Sequence, residues 1–165
     1  AERLWQRARP ATNAHPYLQV KGVHSFGLRQ LRDMLLIPAR DTSGKLHTLQ
    51  FIGADGAKRF LTGGRIQGCY CPIGRPGDAL LLCEGYATGA TLYAATGRAV
   101  AVCFSAGNLQ PVARALRMKF PELRLIVCAD NDPTPGNPGV THATQAARAV
   151  GGLVAVPRFE GVARV

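Results

Sequence analysis

Acidic residues are scarce in this chain. Ten Asp and Glu stand against twenty Lys and Arg among 165 residues, a formal charge of +10. Long apolar runs are absent as well. No stretch approaches eighteen uninterrupted apolar residues, so neither a transmembrane helix nor a membrane partner is expected. No signal-peptide pattern opens the chain. It starts at Ala1 rather than Met, which reads as a piece of a longer protein. Cysteine pairs of the zinc-binding kind are missing too. Cys69 and Cys71 form C-x-C with no second pair, and His15 and His24 have no spaced Cys or His partners, which argues against a structural zinc site. Cys83, Cys103 and Cys128 sit inside apolar runs, where Cys behaves as a small hydrophobe. An odd count placed this way fits a reducing, cytoplasmic setting. Ser105 lies outside any G-x-S-x-G elbow, which argues against a serine hydrolase.

What is present is a core and a lopsided charge. Apolar residues make up 47% of the chain, enough for one compact domain or two small lobes. Residues 1–75 carry twelve basic and four acidic residues, and residues 76–165 carry eight and six. A basic front half suggests a polyanionic partner, most simply nucleic acid or nucleotides. A merely solubilising surface is the plainer alternative.

The two halves differ in pattern. In the first, HPYLQVKGVHSFGL (15–28) reads as a short helix followed by a turn. Residues 34–40 (MLLIPAR) and 45–53 read as strands joined by the turn DTSG, with Pro38 suggesting an edge. A third short strand follows the Asp55-Gly56 turn, giving a small antiparallel sheet. The Gly/Pro-rich stretch 65–78 closes this lobe, with a boundary near residue 76. In the second half, apolar strands at 79–84, 99–104, 123–130 and 153–157 alternate with helices at 87–97, 108–120 and 140–151. Continuous apolar strands between helices indicate a parallel sheet covered on both faces. Asn108 reads as the N-cap of the second helix.

In such sheets the functional crevice lies beyond the carboxyl ends of the strands. Glu84, Asp130 and Asp132 fall there. Alternate residues of an extended chain face the same way, so Asp130 and Asp132 present two carboxylates near one point. Hard oxygen donors of this kind suit Mg2+ or Mn2+. The plain alternative is that the Asp pair only opens the turn DNDPTPGNPG. Glu84 on a neighbouring strand favours the metal reading, because three clustered carboxylates without a cation would repel. The SAGN loop opens a helix, so Gly107 or Asn108 could contact a phosphate, with simple capping an equal alternative.

CEGYATG followed some 45 residues later by CADND, on alternating strands and helices, resembles a TOPRIM domain. The front half narrows the resemblance. HPYLQVKGV resembles the "YL..RG" element of bacterial-type (DnaG-like) primases, LLIPARDTSGKLHTLQFIG their "PI-D--G-" hairpin, and AKRFLTGGRIQGCYCPIG their "KYLNS … K--LYG" stretch. The wording is closest to primases of plasmids, phages and integrative elements. The resemblance covers about residues 15–156. It implies an α/β fold, a TOPRIM parallel sheet flanked by helices (77–165) behind a smaller basic α+β lobe with antiparallel strands (1–76). It implies synthesis of RNA primers from nucleoside triphosphates on single-stranded DNA, with divalent metal at Glu84, Asp130 and Asp132. It also implies that Lys21, Lys58 with its neighbour Arg59, and Arg65 hold template or nucleotide phosphates. A zinc-binding module and a helicase module are implied partners in the full-length protein or replisome. Two departures stand out: Thr88 occupies the position of the Asp in EGYMD of replicative primases, and Gln50 that of the arginine in "F-GR". A TOPRIM nuclease using the same metals, or a non-catalytic single-stranded DNA-binding module of a mobile-element protein, are the alternatives.

Overall fold

A computed structural model describes residues 1–131 and 133–158. It contains two five-stranded sheets. The first is antiparallel, in the order β1 (Arg9–Pro10), β2 (Arg29–Leu31), β3 (Met34–Arg40), β4 (Leu46–Ile52) and β5 (Lys58–Phe60). Two short helices accompany it, α1 (Glu2–Arg7) and α2 (Pro16–Lys21). His15 starts α2: its Nδ1 accepts from the Tyr17 amide at 3.2 Å while Nε2 meets the Asp33 carbonyl at 2.8 Å. Gly22 ends it at φ 63°, a left-handed conformation that costs glycine nothing.

Sequence patterning predicts three strands here, and the structure has five. β1 and β2 hold only two and three residues, rich in Arg and Gln, and carry no alternation to read. Pro38 lies in an interior strand, not an edge strand. It is tolerated because β2 pairs only as far as Leu36, which leaves that side of β3 unpaired at residue 38.

The second sheet runs β10 (Leu153–Ala155), β9 (Arg124–Cys128), β7 (Ala79–Cys83), β8 (Ala99–Val102) and β6 (Cys71–Ile73). All pairings are parallel except β6 with β8. Residues 71–73, which composition assigns to the first lobe, are therefore the antiparallel edge strand of the second sheet. Helix α3 (Tyr86–Thr96) follows β7, α4 (Ala106–Lys119) follows β8, and α5 (Pro138–Val150) precedes β10.

The pleat decides what covers each face. Leu80 and Leu82 pack with Ala101, Leu125 and Val127 under α4 and α5. Leu81, Cys83, Val100 and Val102 face the other way. They pack with Tyr86 and Ala90 of α3, and also with Tyr17, Leu18, Leu35, Ile37 and Ile52 of the first lobe. One apolar core thus spans both sheets. The outer face of the first sheet is closed by Trp5, Leu36 and Leu49, with the Arg29 and Arg40 guanidinium groups 4.8 and 5.5 Å from the Trp5 ring centre. Among the described residues, no helix is long and apolar enough to cross a membrane.

Candidate functional site

The strand order fixes the crevice. The chain passes from β7 to β8 on one side, then crosses to β9 on the other. The reversal therefore falls between β7 and β9, where ligands bind in sheets of this kind. β7 runs out at Cys83 and β9 at Cys128, so Glu84 and Asp130 leave neighbouring strands at the same edge. Both are half-buried, and Glu84 Oε1 is fully enclosed. Asp132 lies outside the described residues.

Glycines hold the two carboxylates in place. Gly89 lies one turn into α3. A Cβ there would come within 2.6 Å of Val102 Cγ2 and 3.2 Å of Cys83 Sγ, so only glycine lets α3 sit this close to β7 and β8. Gly139, at the start of α5, would drive a Cβ into the Asp130 carbonyl oxygen. The loop after Asp130 is tied by Asn131, whose Nδ2 donates to the Pro157 carbonyl at 3.2 Å and whose Oδ1 accepts from Asn137 Nδ2 at 2.9 Å.

The thiols behind these carboxylates are shifted chiefly by their burial. Cys83 is pushed well up, first by burial and further by neighbours that include Asp130. Cys103 is raised by burial and then by the charge of Glu84. The edge is electronegative, its donors are hard oxygens, and a divalent cation suits both features. Burial pushes the Cys128 thiol up to about 11 and Cys71 to about 12, and all five cysteines are free and buried. Thr88 shares with Asp130 a cavity of about 680 Å³ that is lined mainly by apolar atoms of Ala87, Leu92, Ala155 and Val156.

The basic residues divide. Lys21 and Lys58 meet at one cavity of about 340 Å³, beside Tyr17 and Asp55, with Lys58 Nζ 5.9 Å from the Tyr17 ring centre. On β5 the register pairs Lys58 with Ile52 and Phe60 with Gln50. These four side chains share the face turned toward the second sheet. Arg59, paired with Phe51, is on the opposite face, its guanidinium 5.8 Å from that ring. Arg65 reaches His47 Nε2 at 3.0 Å and Asp41 Oδ2 at 3.4 Å. Asp41 also accepts from Ser43 Oγ at 2.6 Å and meets His47 at 2.7 Å. The Ser43 bond, then the His47 bond, hold its carboxyl well below the usual carboxylate range.

Gly107 is exposed in the first turn of α4. Asn108 is corrected on both expected roles. Ser105 is the N-cap, and Asn108 is the third residue of the helix, 5% exposed. Its Oδ1 accepts from the Gly68 amide at 2.8 Å, and its Nδ2 donates to the Cys103, Cys69 and Ile66 carbonyls at 2.8, 2.9 and 3.3 Å. Nothing on that amide is left to hold a phosphate.

Two contributors escaped the sequence reading. Tyr86 is 1% exposed; its hydroxyl donates to the His24 carbonyl at 3.0 Å and accepts from the Phe26 amide at 2.7 Å, clasping α3 to the first lobe. A buried tyrosine needs a partner for its hydroxyl, and that rule was the available signal. Phe104 takes φ 73°, rare for a bulky residue, and packs edge-on against Phe60 at 5.4 Å between ring centres.

Comparison with known proteins agrees with this fold. The family model described as a Toprim domain matches residues 79–159. A "DNA primase TraC" of Escherichia coli is 42% identical over 96% of this chain, and a second protein of that name is 40% identical over 91%. The chain spans only 16% and 11% of their lengths. The primase fragment of the bacteriophage T7 primase-helicase protein superposes with a TM-score of 0.67 at 15% identity, covering 94% of this chain and 69% of that one. The DnaG catalytic core gives 0.56 at 14% identity, covering 88% and 62%. Residues 79–159 thus match a Toprim domain, set behind a first lobe in the fold of a primase core, in a chain similar over nearly its whole length to proteins named DNA primase TraC.

Proposed function

We propose that this chain is the catalytic core of a DNA primase, building short RNA primers from nucleoside triphosphates on single-stranded DNA. The observation that carries the reading is the reversal of strand order between β7 and β9, from which Glu84 and Asp130 emerge together. In this reading Glu84, Asp130 and Asp132 hold Mg2+ or Mn2+. Bound there, the metal supplies charge neutralisation for the triphosphate and the attacking hydroxyl.

The chain's own residues do the rest. Lys58 and Lys21, on the side of the first lobe that carries the shared core, attract and orient phosphates as flexible point charges. Arg65 is a third phosphate ligand and leaves Asp41 and His47 when substrate arrives. Arg59 and Gly107 contact the strand from the periphery. The apolar packing around the edge keeps water low and strengthens these charge interactions. Single-stranded template, triphosphates, a zinc-binding module and a helicase are the partners expected of the whole protein.

The test supplies single-stranded template, labelled ribonucleotides and Mg2+ or Mn2+ to wild type, Glu84→Gln, Asp130→Asn and Asp132→Asn. Labelled oligomers from wild type that vanish in the variants support the primase. Template shortened by wild type but not by the variants would show a nuclease instead. Salt-sensitive binding with no chemistry in any protein would show a binding module.

A further inference from the structure

Phe104 follows β8 in a backbone conformation that bulky side chains avoid, at φ 73°. Such strain persists only where the surroundings impose it, and it gathers at functional sites. The surroundings here are specific. The Cys103 amide donates to the Cys83 carbonyl at 2.8 Å, so the β7–β8 ladder runs one residue past the strands. Phe104 therefore emerges beside Glu84 and Gly85. From the other lobe Phe60 meets it edge-on, with rings inclined at 78°. Phe60 shares its face of β5 with Lys58. Both phenylalanines are half-buried, and Phe104 also packs against the shared core.

A pair of half-buried rings thus stands between the strand edge that carries Glu84 and the face of β5 that carries Lys58. Aromatic surface beside a cation is how proteins hold single-stranded nucleic acid without reading its sequence. We propose that Phe60 and Phe104 form a stacking subsite for one unpaired nucleobase, belonging either to the template strand or to a bound nucleotide. The left-handed turn at residue 104 accompanies the contact of its ring with Phe60 of the other lobe. The proposal rests on the primase reading for its ligand, but its test is separate from catalysis.

The test compares binding of base-bearing and base-free ligands to the full chain. One arm sets an oligothymidylate against an abasic deoxyribose-phosphate oligomer of equal length, by fluorescence anisotropy. The other sets ATP against inorganic tripolyphosphate, both with Mg2+. Wild type should prefer the base-bearing member in at least one arm. Phe60→Leu and Phe104→Leu keep volume but lose the π-face, and should lose roughly 5- to 150-fold of that preference. Phe60→Tyr and Phe104→Tyr should retain it. Loss in the first arm assigns a template base, and loss in the second a nucleotide base. A wild type without preference, Leu variants with the preference intact, or Tyr variants as impaired as Leu would each overturn the subsite. Should the Leu variants fail to fold, photocrosslinking wild type to a 4-thiothymidine oligomer and, separately, to 4-thiouridine triphosphate decides. Adducts on Phe60 or Phe104 support the subsite, and adducts only elsewhere overturn it. Primer synthesis in the same preparations reports on the primase reading independently.

Discussion

Replacing Asn108 with Ala removes one buried amide that serves four backbone groups. Three of its bonds are short, to Gly68 N and to the carbonyls of Cys103 and Cys69, at 2.8, 2.8 and 2.9 Å. The fourth, to Ile66 at 3.3 Å, is weaker. A net hydrogen bond contributes about 1 kcal/mol, and a buried partner left unsatisfied costs about 1–3 kcal/mol. Water entering the space left by the side chain would satisfy some of these groups, which brings the sum to about 3 kcal/mol. For a chain of this size, that lowers the melting temperature by about 6–12 °C. Urea unfolding should show a lower midpoint at unchanged slope. Asn108→Asp should be worse near neutral pH, because a carboxylate would face three carbonyl oxygens, and it should recover partly in acid as it regains a donor. A loss under about 1 kcal/mol for the Ala variant, or an Asp variant indifferent to pH, would falsify the account of this amide as the tie between α4 and the 66–69 loop.

Other outcomes follow from the same geometry. Tyr86→Phe keeps the packing but abandons the His24 carbonyl and Phe26 amide, and should destabilise by about 1–3 kcal/mol in urea titration. Gly89→Ala should cost about 1–3 kcal/mol by overpacking against Val102 and Cys83. It should also weaken Mn2+ binding in calorimetry by shifting α3 beside Glu84. The depressed acidity of Asp41 gives a pH signature: its contribution is complete above the unfolded value near 4 and fades as pH falls toward the lower folded value. The stability difference between wild type and Asp41→Asn should therefore be flat above about pH 5 and shrink toward pH 2. A constant difference across that range would remove Asp41 as the cause.

The second sheet was legible because its strands are continuous apolar runs between helices, and a run such as Leu80–Cys83 has few other readings. Glu84 and Asp130 were legible for the same reason, since a charge directly after such a strand can only lie at the sheet edge. The first lobe was less so. Strands of two or three residues such as β1 and β2 have no periodicity, and only pairing partners distant in sequence define them. Asn108 shows the limit within the site. Its side chain suits an N-cap, a phosphate or a buried tie equally well, and which it serves depends on the 66–69 loop about forty residues earlier. Arg59 differs from Lys58 only by the pleat, and the pleat is set by the register with β4.

The apolar core shared by the two sheets has a practical meaning for anyone who would divide this chain. The family match begins at residue 79, a tempting place to start a recombinant Toprim fragment. That cut would strip α3 and the inner face of β7 and β8 of Leu18, Leu35, Ile37 and Ile52, and would remove β6 from the sheet edge. The fragment would present a wide greasy surface and a bare strand to its neighbours, and should self-associate rather than report on the intact chain. The smallest experimentally useful unit is set by the shared core, so it must include the first lobe.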